Sequence, residues 1–334
     1  MKYYIYLTIF LSLSLNIQAR DKIKGAGSMT LYPLINAVGE VYNSTTGNTL
    51  PMIAATGTDK GFKLFCAGNG ENYLDFISAT RKIKTSEKKL CSKNGVTRIV
   101  EIPIGYDAIV LASSRNSVKY KLKLAHLFLA LVAKVPLEGK IVDNYYKKWS
   151  DISRFLPDTE IKIFGPGNIS GLRNSFIDLV MRKTCTEFSE YKKLYANHKK
   201  RDKICTSLRK DGHYIIEKNQ KKITNKILAN NNSLAILDFS ALEKNLIQIK
   251  GAYISGEYPD FDSIFDMDYP LTRTSYIYIK QDHFNIIPNL AIFIKMLISE
   301  DAIGEEGYLL FKGLVPLNKK ARKQMRSTIL KILE

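Results

Sequence analysis

The sequence predicts an α/β protein with two lobes. The chain has 334 residues, more than one compact core usually holds, and 45% of them are hydrophobic, which is enough for two cores. Three times, a short apolar strand runs through a glycine-containing turn with hydroxyl side chains into a predicted helix. A strand that leads directly into a helix is the repeating unit of α/β folds.

The first of these units covers residues 23–33. Its turn contains Gly27, Ser28 and Thr30, and apolar residues at helical spacing predict a helix over 31–42. The first backbone N–H groups of a helix lack partners within it, and with the helix dipole they attract anions. Ser28 and Thr30 add O–H donors at the same point. A simple helix cap at either hydroxyl is the alternative interpretation.

The second unit contains Thr58, in a glycine turn at 56–61, and the strand after it, predicted over 73–78, leads to Thr80 and Arg81. Ligands of open α/β sheets bind beyond the carboxyl ends of the strands. A guanidinium at such a position takes two oxygens of an anion at once. We therefore predict that Arg81 binds an anion, with a surface ion pair as the alternative.

The third unit covers residues 165–173. Ser170 is a candidate N-cap, and Gly171 lets the backbone approach a ligand closely. Arg173 follows in the first turn of the predicted helix, where a positive charge opposes the helix dipole unless an anion lies there. This local conflict favours a binding role over a purely structural one.

Weaker patterns predict the other elements. A short helical turn is expected at 149–152, and no stretch beyond the N-terminus approaches the length that a bilayer requires. Further strands are predicted at 98–103, 106–113, 161–164, 233–237 and 275–280, and further helices at 123–133, 187–208, 289–299 and 319–333.

Residues 1–19 are predicted to be a signal peptide. A lysine precedes an apolar run over 3–15, and Ile17 and Ala19 fit the cleavage rule, so the mature chain would begin at Arg20. The apolar run is short for a bilayer span, although an uncleaved anchor is the alternative. This segment predicts an exported protein of the periplasm.

The cysteines agree with export. Four are present, and none forms a Cys-x-x-Cys pair, so zinc and redox motifs are unsupported. An even count in an oxidising compartment predicts two disulfides. Of the three possible pairings, Cys66–Cys91 with Cys185–Cys205 is the local one and is topologically the simplest. Buried free thiols are the alternative.

The composition and the absent motifs exclude most enzyme and nucleic-acid classes. The net charge is +18, spread along the chain without a basic stripe interleaved with aromatics, so nucleic acid is not an expected partner. A basic field does raise the local concentration of an anionic ligand. The sequence has no histidine cluster for a metal, no hydrolase elbow, no Walker loop and no dinucleotide fingerprint. We expect no enzyme activity, no metal and no cofactor.

A resemblance to a known family follows from five motifs in a fixed order. Each motif is weak alone, but together they span about residues 22–331 and resemble the exported phosphate-binding proteins of high-affinity phosphate ABC transporters. A subgroup of these proteins also shares the cysteine positions. The motifs are Gly-x-x-Thr-Leu-Tyr-Pro, Thr-Gly-Thr-x-x-Gly-Phe-Lys-Leu-Phe-Cys-Ala-Gly, Ser-Ala-Thr-Arg, Gly-Tyr-Asp-x-Ile-Val-Leu-Ala and Ser-Gly-x-Arg.

The resemblance implies a two-lobed periplasmic-binding-protein (flytrap) fold, in which each lobe is a mixed sheet flanked by helices. Lobe 1 would comprise residues 20–107 and 275–334, and lobe 2 residues 108–274. The protein would be a monomer that takes inorganic phosphate into the cleft and delivers it to an ABC permease. The implied ligand residues are Ser28, Thr30, Leu31, Thr58, Thr80, Arg81, Ser170, Gly171, Leu172 and Arg173.

The chain departs from the family pattern at three places. Thr80 stands where well-known members have an aspartate that accepts the proton of hydrogen phosphate, so selectivity must rest on another acceptor. Leu172 replaces a common threonine, and Asp59 and Lys60 replace glycines. We interpret Asp59 as a solvated loop residue, with a compensating acceptor as the alternative. Another oxyanion such as sulfate, or a secreted surface or adhesion role on the same fold, remains an alternative function.

Overall fold

The structure is a computed structural model that describes residues 20, 22–167, 170–217 and 219–333, so the predicted signal peptide lies outside the described residues. Its strands, in chain order, are Lys24–Gly27 (β1), Met52–Ala54 (β2), Phe76–Ala79 (β3), Ile99–Ser114 (β4), Lys121–Leu122 (β5), Lys134–Leu137 (β6), Lys140–Asp143 (β7), Ile163–Gly165 (β8), Tyr214–Ile216 (β9), Leu234–Asp238 (β10), Ile249–Gly251 (β11), Tyr253–Ile254 (β12) and Thr272–Lys280 (β13).

The helices cover both faces of these strands. Among the described residues, none of them has the length and apolar character needed to cross a membrane. They are Tyr32–Thr46 (α1), Thr58–Phe65 (α2), Thr85–Lys93 (α3), Leu124–Leu131 (α4), Trp149–Ile152 (α5), Gly171–Phe176 (α6), Lys183–Cys185 (α7), Ser189–Leu194 (α8), His198–Cys205 (α9), Gln220–Ala229 (α10), Phe239–Glu243 (α11), Phe261–Phe265 (α12), Leu290–Leu297 (α13), Glu300–Ile303 (α14) and Lys319–Leu333 (α15).

One mixed sheet runs through both lobes, in the order β2-β1-β3-β13-β4-β10-β8-β9, with β11 also paired to β4. In lobe 1, β1 lies parallel to β2 and β3, and in lobe 2, β8 lies parallel to β10 and β9. The long strands β4 and β13 are antiparallel and connect the two halves. The prediction of a two-lobed α/β fold with mixed sheets is confirmed.

Strand β4 differs from its prediction. The sequence suggests two strands, at 98–103 and 106–113, whereas the structure has one strand of 16 residues. Pairing with β13 continues across the gap: Tyr276 lies opposite Pro103 and Ser275 opposite Gly105, so that Ile104 is the extra residue of a bulge. Pro103 and Gly105 therefore flank an irregularity within one continuous strand.

The two lobes have separate hydrophobic cores. In lobe 1, α1 and α13 pack together, and the rings of Tyr42 and Phe293 meet edge to face with centroids 5.6 Å apart. In lobe 2, Trp149 and Phe128 are fully buried in the largest cluster. Val315, which follows α14 in the chain, joins the lobe 2 cluster and pairs with Tyr106 of β4. The cores therefore meet at the strands that connect the lobes.

A buried ion pair lies where β4 and β13 pass between the lobes. Asp107 and Arg273 face each other in the register of the two strands, and both are almost fully buried. The Nε and Nη2 atoms of Arg273 donate to Oδ2 of Asp107 at 3.0 and 2.5 Å. Its Nη1 donates to Oγ of Ser175 on α6 at 2.8 Å. Arg273 thus fixes the start of a lobe 2 helix relative to the connecting strands.

We predict that Arg273→Ala lowers the free energy of unfolding by about 3–5 kcal/mol, because it leaves the Asp107 carboxylate buried without its partner. Arg98→Ala is the matched control, since Arg98 forms an exposed pair with Asp282 and should cost less than about 1 kcal/mol. Urea unfolding with the disulfides intact measures both. Equal losses in the two variants would contradict a special role for the buried pair.

Both predicted disulfides are present in the structure. Cys66 is bonded to Cys91, and Cys185 is bonded to Cys205. The first bond joins the end of α2 to α3, and the second joins α7 to α9. No free cysteine remains among the described residues. The first disulfide matters for the site, because α2 and α3 carry side chains that meet at Arg81.

Lys280, at the end of β13, has its charged group in the interior of lobe 1. Nζ donates to the carbonyl of Gly68 at 2.6 Å, and it lies over the rings of Phe65 and Tyr73 at 5.2 and 5.4 Å. Burial lowers the pKa of Lys280 to about 8, although the nearby carboxylate of Asp75 opposes this shift. The folded protein therefore holds this proton less tightly than the unfolded chain.

The free energy of unfolding should rise between pH 8 and pH 10.5, because the unfolded chain keeps a proton that folded Lys280 has released. The contribution is about 1–3 kcal/mol. Lys280→Met should remove this part of the rise while leaving other titrating groups in place. Urea unfolding at several pH values measures the difference between the two proteins. Parallel pH profiles would show that the ammonium is not destabilised by folding.

Candidate functional site

Three turns of lobe 1 lie side by side at the carboxyl ends of β1, β2 and β3. The N–H of Ser28 donates to the carbonyl of Ser78 at 2.8 Å, and the N–H of Gly57 donates to that of Gly27 at 2.7 Å. Gly27 has φ of 131°, and a Cβ there would lie 2.0 Å from the Ser78 oxygen. Only glycine permits this approach. The parallel strands thus bring the predicted first and second turns to one sheet edge.

The first turn combines a helix cap with a donor group. The N–H of Leu31 donates to Oγ of Ser28 at 3.3 Å, just before α1 begins at Tyr32. Ser28 is buried, and it lines the cavity between the turns. A hydroxyl that accepts one bond keeps its own proton for a second partner. The capping interpretation and the binding interpretation of Ser28 are therefore compatible.

The third turn begins a helix in lobe 2 that continues from α6 through the π-helical segment Ile177–Arg182 into α7. Ser170 occupies the N-cap position, but its side chain makes no capping hydrogen bond. A Cβ built on Gly171 would meet nothing within 4 Å, so the backbone there faces open space. The start of this helix therefore presents a hydroxyl and backbone N–H groups toward the cleft.

A cavity of about 370 Å³ lies between these turns, with walls from both lobes. Five of the ligand residues that the sequence analysis predicts line this cavity. In lobe 2 the wall comes from the carboxyl ends of three parallel strands, β8, β9 and β10, which mirrors the arrangement of lobe 1. The lining residues are Ser28, Met29, Thr30, Ser170, Gly171, Leu172, Asn219 and Asp238.

Three lining residues were missed by the sequence analysis: Met29, which lies between the predicted ligands Ser28 and Thr30, Asn219 and Asp238. Asp238 ends β10, and the rule that ligands bind beyond strand ends, applied to Thr80, also selects Asp238. Asn219 follows β9, a three-residue strand that the sequence pattern does not reveal. Asp238 is buried, and its Oδ1 accepts from the N–H of Ala241 at 2.9 Å, which caps α11. Asp238 is the one carboxylate among the described residues that line the cavity.

Two predicted hydroxyl residues lie behind the cavity wall. Thr58 and Thr80 are both buried, and the N–H of Thr80 donates to Oγ1 of Thr58 at 3.4 Å. Neither is among the described residues that line the cavity. They connect the second turn of lobe 1 to the end of β3, and so help to hold the sheet edge on which Ser28 lies.

Arg81 donates to two carboxylates of its own lobe. Its Nη2 donates to Asp59 and, at 2.6 Å, to Glu87, and its Nη1 donates to Glu87 at 2.8 Å. The guanidinium also lies over the ring of Phe62 at 5.1 Å. Burial would lower the pKa of Arg81, but the hydrogen bonds that it donates to Glu87 and Asp59 outweigh this effect and raise the pKa. The residue predicted to bind the anion is thus a half-buried cation whose Nη1 and Nη2 atoms already donate to carboxylates of its own lobe.

The structure does not place Asp59 in a solvated loop, as the sequence analysis interpreted it. It lies in the first turn of α2 and accepts from Arg81 and, at 2.6 Å, from Nδ2 of Asn174 in lobe 2. Burial raises the pKa of Asp59, but the hydrogen bond from Arg81 and the charges of Lys84 and Arg81 lower it overall. The first turn of the helix places this carboxylate where it reaches both lobes.

Arg173 lies beside the cavity and contacts an aromatic ring. Its guanidinium is 5.3 Å from the centroid of Tyr214, and Nη1 donates to the hydroxyl of Tyr214 at 3.3 Å. That hydroxyl donates to the carbonyl of Pro166 at 2.9 Å. Arg173 therefore braces the turn that precedes Ser170. No group of residues in the described part of the chain has the composition of a metal site.

Comparison with known proteins identifies the family. The family model described as a PBP superfamily domain matches residues 16–301. The chain belongs to this family. The family and the fold that the motifs suggested are thereby confirmed.

The relatives of this chain share modest sequence identity with it. The phosphate-binding protein PstS of Staphylococcus haemolyticus is 23% identical over 297 residues, which cover 87% of this chain and 81% of the relative. Protein SphX of Synechococcus elongatus is 27% identical over 167 residues, which cover 50% of this chain and 46% of SphX. The chain thus aligns with less than half the length of SphX.

Solved structures of similar fold support the two-lobed architecture. A possible phosphate-binding protein from Planctomyces limnophilus superposes with a TM-score of 0.63 at 23% identity, covering 94% of this chain and 99% of that one. An ABC-type phosphate transport receptor from Vibrio cholerae superposes with a TM-score of 0.65 at 16% identity, covering 88% of this chain and 99% of that one. At these identities the similarity establishes the fold alone.

Proposed function

We propose that this protein captures inorganic phosphate between its two lobes and delivers it to an ABC permease. The observation that supports this most directly is the cavity between the lobes, in which hydroxyl and N–H groups from both lobes face one another. The relatives and solved structures named as phosphate-binding proteins support the choice of anion. The protein would act as an exported periplasmic monomer, without catalysis and without a nucleic-acid partner.

The proposed ligand donors come from the two helix starts. In lobe 1 they are the hydroxyls of Ser28 and Thr30, with the N–H of Leu31 exchanging its long bond to Oγ of Ser28 for the ligand. In lobe 2 they are the hydroxyl of Ser170 and the N–H groups of Gly171 and Leu172. Thr58 and Thr80 would hold the lobe 1 edge in place. Micromolar binding requires about 8 kcal/mol, and several hydrogen bonds to a charged ligand at about 1.5–3 kcal/mol each supply it, less the ordering cost.

The two arginines would hold the turns from behind the donors. Arg81 and Arg173 lie close to the turns on either side of the cleft, but each already has partners in its own lobe. We propose that they fix these turns, while the neutral donors contact the anion. The charge of Arg81 is already balanced by Asp59 and Glu87, so its role in the proposed site is structural.

Asp238 is the proposed acceptor that selects a protonated anion. Thr80 occupies the position of the aspartate found in well-known relatives, and Asp238 supplies a carboxylate from the opposite lobe. A carboxylate attracts an oxyanion that carries a proton and repels one without it. Hydrogen phosphate retains a proton near neutral pH, whereas sulfate does not. Asp238 would therefore disfavour sulfate.

We expect phosphate to bind the wild-type protein with micromolar or tighter affinity, and Gly171→Val to abolish binding. The valine side chain would fill the cavity at a position where the folded protein has room for a Cβ, so the melting temperature should stay within a few degrees. Calorimetric titration measures binding. Gly171→Ala should have an intermediate effect, and Gly39→Ala, in α1 away from the cavity, is the control.

Small-angle scattering of the same proteins should show a smaller radius of gyration when phosphate is added to wild type, but not to Gly171→Val. Binding without contraction would contradict capture between the lobes. Tighter binding of sulfate than of phosphate would contradict the proposed anion.

Asp238→Asn should change the anion preference. The amide keeps the ability to cap α11, so stability should change little. It removes the negative charge that repels sulfate and weakens acceptance of the phosphate proton, so phosphate affinity should fall about 10-fold or more while sulfate affinity rises. Paired calorimetric titrations with the two anions measure the ratio of phosphate affinity to sulfate affinity. If Asp238→Asn leaves this ratio unchanged, Asp238 is not the acceptor that selects phosphate.

A further inference from the structure

One direct side-chain hydrogen bond crosses the cleft beside the proposed ligand turns. The carboxylate Oδ2 of Asp59, on α2 of lobe 1, accepts from Nδ2 of Asn174, on α6 of lobe 2, at 2.6 Å. Asp59 directly follows Thr58, and the N–H of Asn174 donates to the carbonyl of Ser170 at 3.1 Å. Asn174 is thereby joined to the third turn, which lines the cavity, and Asp59 to the second turn, which lies behind the lobe 1 wall.

The Asp59 carboxylate is held in place from its own side. Its Oδ1 accepts from Arg81 and lies 3.7 Å from Nζ of Lys84. Arg81 is fixed in turn by Glu87 of α3, and the disulfide between Cys66 and Cys91 joins α2 to α3. A carboxylate anchored in this way loses little conformational freedom when it accepts a further bond from the opposite lobe.

The geometry makes this bond specific to the closed arrangement. Asp59 and Asn174 are 115 positions apart and sit on different lobes, so separation of the lobes breaks the contact. A contact present in only one of two conformations shifts the equilibrium toward that conformation by its own free energy. The same bond does not touch the ligand, because neither residue is among those that line the cavity.

We propose that Asp59 is a positioning residue that stabilises the closed, ligand-bound arrangement through Asn174 and holds Arg81 in the lobe 1 turn. This inference rests on the proposed function, since it takes ligand capture to be closure of the lobes. The hydrogen bond slows reopening and release of phosphate.

Asn174→Ala tests the bond without disturbing the Asp59–Arg81 pair. We expect the phosphate dissociation constant to rise about 3- to 10-fold, the range for one partly exposed hydrogen bond to a charged acceptor. Most of the change should appear as faster phosphate release in stopped-flow measurements. Asn36→Ala is the matched control, because Asn36 also donates to a carboxylate, Glu40, at 2.8 Å, but within one helix of lobe 1.

A double-mutant cycle separates positioning from general stability. Asp59→Ala should weaken binding more than Asn174→Ala, since it also loosens Arg81, and Asn174→Ala should have no further effect when Asp59 is already alanine. If Asp59→Ala does not fold, Asp59→Leu, which has a similar size but no acceptor for Asn174, replaces it in the cycle. Additive effects, or phosphate release from Asn174→Ala at the wild-type rate, would overturn the inference.

Failure of the proposed function has a different signature. If wild type binds no phosphate, both the proposed function and the inference fail, whatever the variants do. If wild type binds and contracts in solution, but Asn174→Ala and Asn36→Ala have the same affinity and release rate, the inference alone is overturned.

Discussion

The crossing of β4 and β13 is the constraint on which the rest of the structure depends. These two antiparallel strands belong to both halves of the sheet, and Asp107 and Arg273 pair at the point of passage. Because each lobe arranges its parallel strands around this crossing, the carboxyl ends of β1–β3 and of β8–β10 come to face each other. Arg273 also donates a hydrogen bond to Ser175 of α6, and so fixes this helix relative to the crossing strands. The candidate site therefore follows from the connection between the lobes, together with the local turns.

The distribution of charge around the cavity bears on what it can distinguish. An unpartnered guanidinium in a closed cleft would attract any small dianion, and so would offer little choice between phosphate and sulfate. In this structure Arg81 is neutralised by Asp59 and Glu87, while the lining contains the carboxylate of Asp238. Discrimination in the proposed site thus relies on hydrogen-bond donors and one acceptor, for which the protonation state of the anion is decisive.

Much of the fold was predictable because its signals are local. A strand, a glycine turn and a helix start are encoded within about a dozen residues, so Ser28, Thr30, Ser170, Gly171 and Leu172 could be placed at turns that the structure brings into one cavity. The remainder depends on contacts between distant segments. The partners of Arg81 and the place of Asn219 are set by tertiary packing, and the continuity of β4 is set by its pairing with β13, for which one sequence carries no direct signal.

The departures of this chain from the family pattern are physically connected. The resemblance implies an acid at the position of Thr80 and glycine at the position of Asp59. Here Asp59 and Glu87 already balance the charges of Arg81 and Lys84, so a third acid at position 80 would add an unbalanced negative charge to the lobe 1 wall. In the proposed site, the acceptor for a protonated ligand comes instead from Asp238 of the opposite lobe. The acid present at position 59 and the acid absent from position 80 would then be two parts of one electrostatic arrangement, in which the lobe 1 carboxylate serves closure and the lobe 2 carboxylate serves recognition.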